Sequence, residues 1–214
     1  MRKVDPVKHA RKRSEILDAA IRCFVRHGFR GASTTDICAE AGISPGHLYH
    51  YFPSKEAIIE EMTEVGLAHS AERFERILAA PDVIEAMITD FEQTGVRLPP
   101  AQALSLEALA EAARNPTFAR ILVRYTDALR DLLAEFLRKA QAQGKVDPSL
   151  DPDTTANILI AMTDGIRALP IRNPNLQVAQ NMDHLKTMLH RFLSPPLKKI
   201  RASANPNDTE QVAR

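Results

Sequence analysis

Apolar residues recur along this chain at steps of three and four, and no segment shows a convincing two-residue alternation. Steps of three and four stack side chains on one face of an α-helix, whereas a half-buried strand needs a step of two. The pattern therefore predicts an all-α fold, which caps and breakers cut into nine helices. The first runs from about 13 to 27, with Ile16, Leu17, Ala20, Ile21 and Phe24 on one face and Gly28 as its stop. A short second helix follows Ser33, where Ser-Thr-Thr-Asp supplies a cap and an acid three residues on. The third starts at Ser44 and Pro45 and is stopped by Pro53 after two turns.

The other six helices are longer and more apolar. Ser54 caps the fourth, Ile84, Met87, Ile88 and Phe91 stripe the fifth, and the sixth covers about 101–113. Asn115 and Pro116 open the seventh and Asp151 and Pro152 the eighth, each pairing a cap with a proline at the first helical position. The ninth follows Pro174 and carries Val178, Met182, Leu185, Leu189 and Phe192.

The third helix is unusual. Only 5% of the 214 residues are aromatic and none is tryptophan, yet Tyr49, Tyr51 and Phe52 fall within its two turns. A rotation of about 100° per residue sets Leu48 and Phe52 together on the inner face. Gly46, His47, Tyr49, His50 and Tyr51 then spread over the outer arc. With Gly42 at the preceding turn, the second and third helices fit a helix-turn-helix. Tyrosine hydroxyls and imidazole N–H groups donate to phosphate oxygens, and a glycine lets a backbone or ligand come close. Pro45 can touch a thymine methyl, and His47 can donate to a base edge.

Charge points the same way. Residues 1–55 hold ten Lys and Arg against five Asp and Glu, a balance of +5, while the remainder balances at −4. A basic front on a slightly acidic body suits a polyanion at one end. The candidate DNA-contacting set is Arg13, Thr34, Thr35, Ser44, Pro45, Gly46, His47, Tyr49, His50, Tyr51 and Lys55. Arg11, Lys12 and Arg13 precede the first expected helix and are placed along the backbone or in a minor groove. Thr34 and Thr35 sit at a helix N-terminus, where free N–H groups favour an anion.

These residues resemble the N-terminal domain of TetR-type (tetracycline-repressor-like) transcriptional regulators. The resemblance spans about 16–58 and is carried by Ile-Leu-x-Ala-Ala, Gly-Phe, Thr-Thr, Ala-Gly-Ile-Ser, Leu-Tyr-x-Tyr-Phe and Ser-Lys-Glu. It implies three N-terminal DNA-binding helices, a six-helix ligand-binding and dimerisation domain, and repression relieved by a small molecule. It departs from the family pattern at Cys38, where alanine is usual. The expected organisation is a basic disordered arm at 1–12, a helix-turn-helix domain at 13–53, a ligand and dimer domain at 54–193, and a disordered tail at 194–214. The resemblance also implies a homodimer through the last two helices, about 153–193. Its DNA site is then an imperfect palindrome, because two recognition helices must meet successive major grooves.

The ligand pocket is expected among helices four to eight. Met62, Met87, Phe91, Phe118, Tyr125 and Met162 would make an adaptable apolar wall for a hydrophobic or amphipathic effector. Glu107, Glu111 and Arg124 are its candidate polar anchors, although each also reads as a solvated helix charge. Gly66 weakens the middle of the fourth helix and is a candidate hinge.

Several classes are set aside. No nucleophile–base constellation, phosphate-cradling glycine loop or metal-ligand cluster is present, so neither an enzyme nor a cofactor is expected. No apolar run reaches the roughly 18 residues that span a bilayer, and no apolar region follows the basic N-terminus, which predicts a cytoplasmic protein. Cys23 and Cys38 occupy core positions and read as buried thiols rather than a redox pair. Two alternatives remain open: an activator of the same fold, and a non-specific architectural DNA-binding protein.

Overall fold

The computed structural model describes residues 5–95, 99–173 and 178–196, and among these are nine helices and no strand. An N-terminal unit holds α1 (Pro6–Gly31), α2 (Thr34–Ala41) and α3 (Pro45–Tyr51). The body holds α4 (Lys55–Leu78), α5 (Val83–Gly95), α6 (Pro99–Ala112), α7 (Pro116–Ala142), α8 (Pro152–Arg172) and α9 (Val178–Leu193).

The expected caps are in place. Ser33 and Asp36 form a reciprocal capping box on α2, satisfying two N–H groups that the helix itself leaves unpaired. Ser44 accepts from the His47 N–H, Ser54 from Ala57, and Asn115 from both Thr117 and Phe118. Asp151 accepts from Thr154 with Pro152 in the first turn. Gly42 ends α2 at φ 62, a left-handed backbone that a side chain would strain, and so sets the turn between α2 and α3.

The first helix differs from its expected bounds. Asp5 accepts from the N–H groups of Val7 and Lys8, and Pro6 takes the first helical position. Residues 6–12, expected as a disordered arm, are therefore almost two turns of helix. The rest of that arm (1–4), the tail beyond 196 and the side chain of Val178 lie outside the described residues. At its other end α1 is broken where expected: Gly28 has φ 73 and ψ 170, so the chain bends there before Phe29.

Two apolar cores result. The first gathers Ile16, Leu17, Cys23 and Phe24 of α1, Ile37 and Cys38 of α2, Leu48 of α3, and Phe52. It also takes Ile58 and Ile59 from α4 and Phe118 and Ile121 from α7. The second packs Ile77, Val83, Ile88, Leu133, Leu137, Leu159, Leu185 and Leu189. The body's own helices thus complete the first core, and no gap in packing follows the expected 53/54 boundary.

One face of the body stays bare. Ile158, Ala161, Gly165 and Leu169 lie exposed along α8 at helical spacing, and a Cβ added at Gly165 would meet nothing. Met188 on α9 is 51% exposed.

Candidate nucleic-acid interface and interior cavity

The third helix divides as its sequence suggests. Leu48 and Phe52 are 1% exposed and anchor it, while Pro45, Gly46, His47, Tyr49 and His50 face outward. Tyr49 is 52% exposed although large and largely apolar. A Cβ at Gly46 would meet nothing within 4 Å, so the protein's own packing does not require a glycine there. Glycine costs a helix up to about 1 kcal/mol relative to alanine, and no contact among the described residues calls for it here.

Tyr51 is half-buried rather than fully presented. Its ring lies 4.6 Å from His9, 5.3 Å from His50 and 5.5 Å from His47. His9 lies outside the sequence-based set because the first helix expected from the sequence begins only near 13, whereas α1 starts at Pro6. The signal was available: Asp5–Pro6 is the same cap–proline pair that marks the start of α8 at Asp151–Pro152. At the start of α2, Thr34 is half-buried and Thr35 is exposed. The Asp36 carboxylate bonds the Ser33 N–H and hydroxyl, which holds its pKa below the ordinary carboxylate value.

Two expected phosphate contacts are engaged elsewhere. The Arg13 guanidinium makes paired hydrogen bonds to Glu61 at 3.0 and 2.7 Å, donates to the Tyr51 carbonyl at 2.8 Å and lies over the Phe52 ring at 4.3 Å. The fork matches a carboxylate, and the flat cation suits an aromatic face, so Arg13 ties α1, α3 and α4 together. Its hydrogen bond holds the Glu61 pKa below the usual value. The Lys55 ammonium donates to the carbonyls of Phe29 and Ala32, at 2.8 and 3.3 Å. It thereby satisfies acceptors that the bend in α1 leaves over.

The same bend receives two expected pocket residues. Glu107 accepts the Phe29 N–H at 2.9 Å, and a Cβ at Gly28 would overlap its carboxylate. The Phe118 ring sits 4.9 Å from that of Phe29. Met62 packs against the first core. Glu107, Phe118 and Met62 thus belong to the joint between unit and body, because their turns of α6, α7 and α4 face α1 rather than the interior. Glu111 accepts from the Asn115 side chain, and Arg124 pairs with Glu60 on the outside.

A partly open cavity of about 380 Å³ lies between the body's helices, and Met87, Phe91, Tyr125 and Met162 of the expected wall are among the residues that line it. Gly66 is in its wall, with Tyr125 3.8 Å from where a Cβ would sit, and α4 runs through as one helix. Phe74, Leu129, Leu133 and Leu159 add apolar surface. Charged residues also line it. Arg73 of α4 lies 3.2 Å from Asp90 of α5, and Arg167 of α8 is 3.9 Å from Asp164. Burial pushes the carboxyls of Asp90 and Asp164 up, against the pull of the arginines, and burial likewise raises the Tyr125 hydroxyl. Sequence reasoning missed these four charges because a charged residue one helical turn inward looks like any solvated one. The available signal was the face Gly66, His69, Ser70, Arg73, where the apolar stripe of α4 thins.

Cys23 and Cys38 are buried, and burial raises both thiols, which keeps them protonated and unreactive. Among the described residues no helix is long and apolar enough to cross a membrane.

Comparison with known proteins agrees with this arrangement. Residues 16–62 match the model of bacterial regulatory proteins of the TetR family, and 81–194 match the C-terminal model of BetI-type transcriptional repressors. The chain is 35% identical over 161 residues to the HTH-type transcriptional regulator UidR of Escherichia coli K12, covering 73% of this chain and 80% of that one. It is 30% identical over 152 residues to the HTH-type transcriptional repressor KstR2 of Mycolicibacterium smegmatis, covering 69% and 74%. The solved structure of Salmonella enterica GusR superposes with a TM-score of 0.73 at 29% identity, covering 90% of this chain and 99% of that one. The two family matches and the 35% identity to UidR, together with a helix-turn-helix set on a six-helix body, place the chain in the TetR family of transcriptional regulators.

Proposed function

We propose that the protein is a repressor that holds an inverted-repeat operator as a homodimer and releases it when a small amphipathic molecule fills the cavity. One observation carries this reading: α4 and α7 each belong to both places. The first helix gives Ile58 and Ile59 to the N-terminal core and Gly66, Arg73 and Phe74 to the cavity wall. The second gives Phe118 and Ile121 to that core and Tyr125, Leu129 and Leu133 to the wall. A ligand that shifts either helix inside the body must therefore act on the reading unit. A differential of about 1–3 kcal/mol between two arrangements changes DNA affinity about 5–150-fold.

In this reading Pro45, Gly46, His47, Tyr49 and His50 meet the major groove, with Thr34, Thr35, Ser44 and Tyr51 at its edges and His9 beside them. Arg13 and Lys55 hold the reader in place. The bare stripe of α8 and Met188 of α9 support a dimer through the last two helices, and Gly165 lets two such helices approach closely. In this reading the body binds a ligand rather than catalyses. Acting on DNA, the protein works in the cytoplasm.

Footprinting on the DNA upstream of its own gene tests the proposal. A discrete protected inverted repeat is expected, and His47→Ala with Tyr49→Ala should abolish it while the dimer persists. Uniform, salt-sensitive coating would instead mark an architectural DNA-binding protein.

A further inference from the structure

The polar side of the cavity has more donors than acceptors. Ser70 and Thr163 line it, but their hydroxyls donate to the carbonyls of Gly66 and Leu159 within their own helices. Four charged groups remain in the wall: Arg73, Arg167, Asp90 and Asp164. Each guanidinium carries five N–H donors in a planar fork, and each carboxylate only accepts. The buried Nε of Arg73 has no hydrogen-bond partner, although Asp90 lies 3.2 Å away, because the carboxylate is out of line with that N–H. Arg167 approaches Asp164 only to 3.9 Å, beyond hydrogen-bond reach. Arg73, Arg167 and Tyr125 all line this one cavity. The same wall carries an apolar, adaptable surface built from Phe74, Met87, Phe91 and Leu159, with the Arg73 guanidinium 5.5 Å from the centre of the Phe74 ring.

A buried donor left unpaired costs about 1–3 kcal/mol, and a bidentate oxyanion is the acceptor that best fits a guanidinium fork. We propose that the effector is an amphipathic organic oxyanion, its head held by Arg73 and Arg167 with the Tyr125 hydroxyl donating, its ring or chain lying on Phe74, Met87 and Phe91. This rests on the cavity being the effector site. It goes further in fixing the charge of the molecule that fills it.

Two dyes with the same body test it on the full-length protein. The dye 8-anilinonaphthalene-1-sulfonate carries an oxyanion head, and N-phenyl-1-naphthylamine is the same skeleton without it. Fluorescence titration should show the sulfonate binding once per protomer and at least tenfold more tightly than the neutral dye. Arg73→Gln and Arg167→Gln should each remove most of that preference and leave the neutral dye's affinity unchanged. In the unaltered protein, raising sodium chloride from low to high concentration should weaken the sulfonate alone, a readout that needs no variant to fold. Equal affinities, a preference that survives in both variants, or binding of neither dye overturns the proposal. The repressor reading fails separately, on the footprint. A protein that protects a discrete operator yet shows no preference for the sulfonate loses only the head-group assignment.

Discussion

Arg13 shows how one side chain changes meaning with its surroundings. Among Arg11, Lys12 and Arg13 it looks like part of a polyanion-binding run, yet it reaches across to Glu61, the Tyr51 carbonyl and the Phe52 ring. About a third of the Arg13 side chain remains exposed, so solvent screens the pair, and Arg13→Ala should cost roughly 1–2 kcal/mol in urea denaturation. The pH dependence follows from Glu61, whose folded pKa is below its ordinary 4.5. Its stabilisation is fully present above pH 4.5 and is lost as pH falls through the lowered folded value. The stability gap between the natural protein and Glu61→Gln should therefore be widest near neutrality and close in acid; a gap that widens in acid would refute the assignment. Gly46 offers a test in which two readouts move oppositely. With open space where its Cβ would go, Gly46→Ala should stabilise the fold by up to about 1 kcal/mol and weaken operator binding, read by urea midpoint and by fluorescence anisotropy on DNA. A stabilised protein with undiminished affinity would remove Gly46 from the interface.

At the scale of elements, the bend near the end of α1 is where the body grips the N-terminal unit. Glu107 of α6 takes the Phe29 N–H, Lys55 of α4 takes the Phe29 and Ala32 carbonyls, and Phe118 of α7 packs on the Phe29 ring. Three helices of the body thus fix one bend, which the positive φ of Gly28 makes possible. Glu107→Ala leaves the Phe29 N–H without its acceptor and should destabilise the protein by about 1–3 kcal/mol. Gly28→Ala should cost more, since it adds backbone strain to an overlap with the Glu107 carboxylate. In the Glu107→Ala background the overlap disappears, so Gly28→Ala should cost less there than in the natural protein. Additive costs in that double-mutant cycle would show that the two residues do not share the joint.

For the whole molecule the decisive surface is the one left uncovered. Ile158, Ala161, Gly165 and Leu169 form an apolar stripe that no other part of the described chain covers, and Ile158 is 47% exposed. Gly165→Glu places a charge on that stripe where a Cβ meets nothing, so the monomer should fold unchanged. Sedimentation should then report a monomer, and DNA affinity should collapse because one half-site alone offers half the contacts. A variant that remains dimeric would move the interface elsewhere.

The sequence alone determined what is local. Helical period, cap–proline pairs and the glycine turn depend on neighbours a few residues apart, so the number of helices and the inner and outer faces of α3 could be read directly. So could the family, because its signature is contiguous. Which of two similar charges is buried depends on residues far away in the chain. Only tertiary packing brought Arg13 to Glu61, Glu107 to the bend at Gly28, and Arg73, Asp90 and Arg167 into one cavity. A charge that finds its partner through the fold carries no mark of it in its own helix, and for that reason the two faces of α3 were legible and the charged lining of the cavity was not.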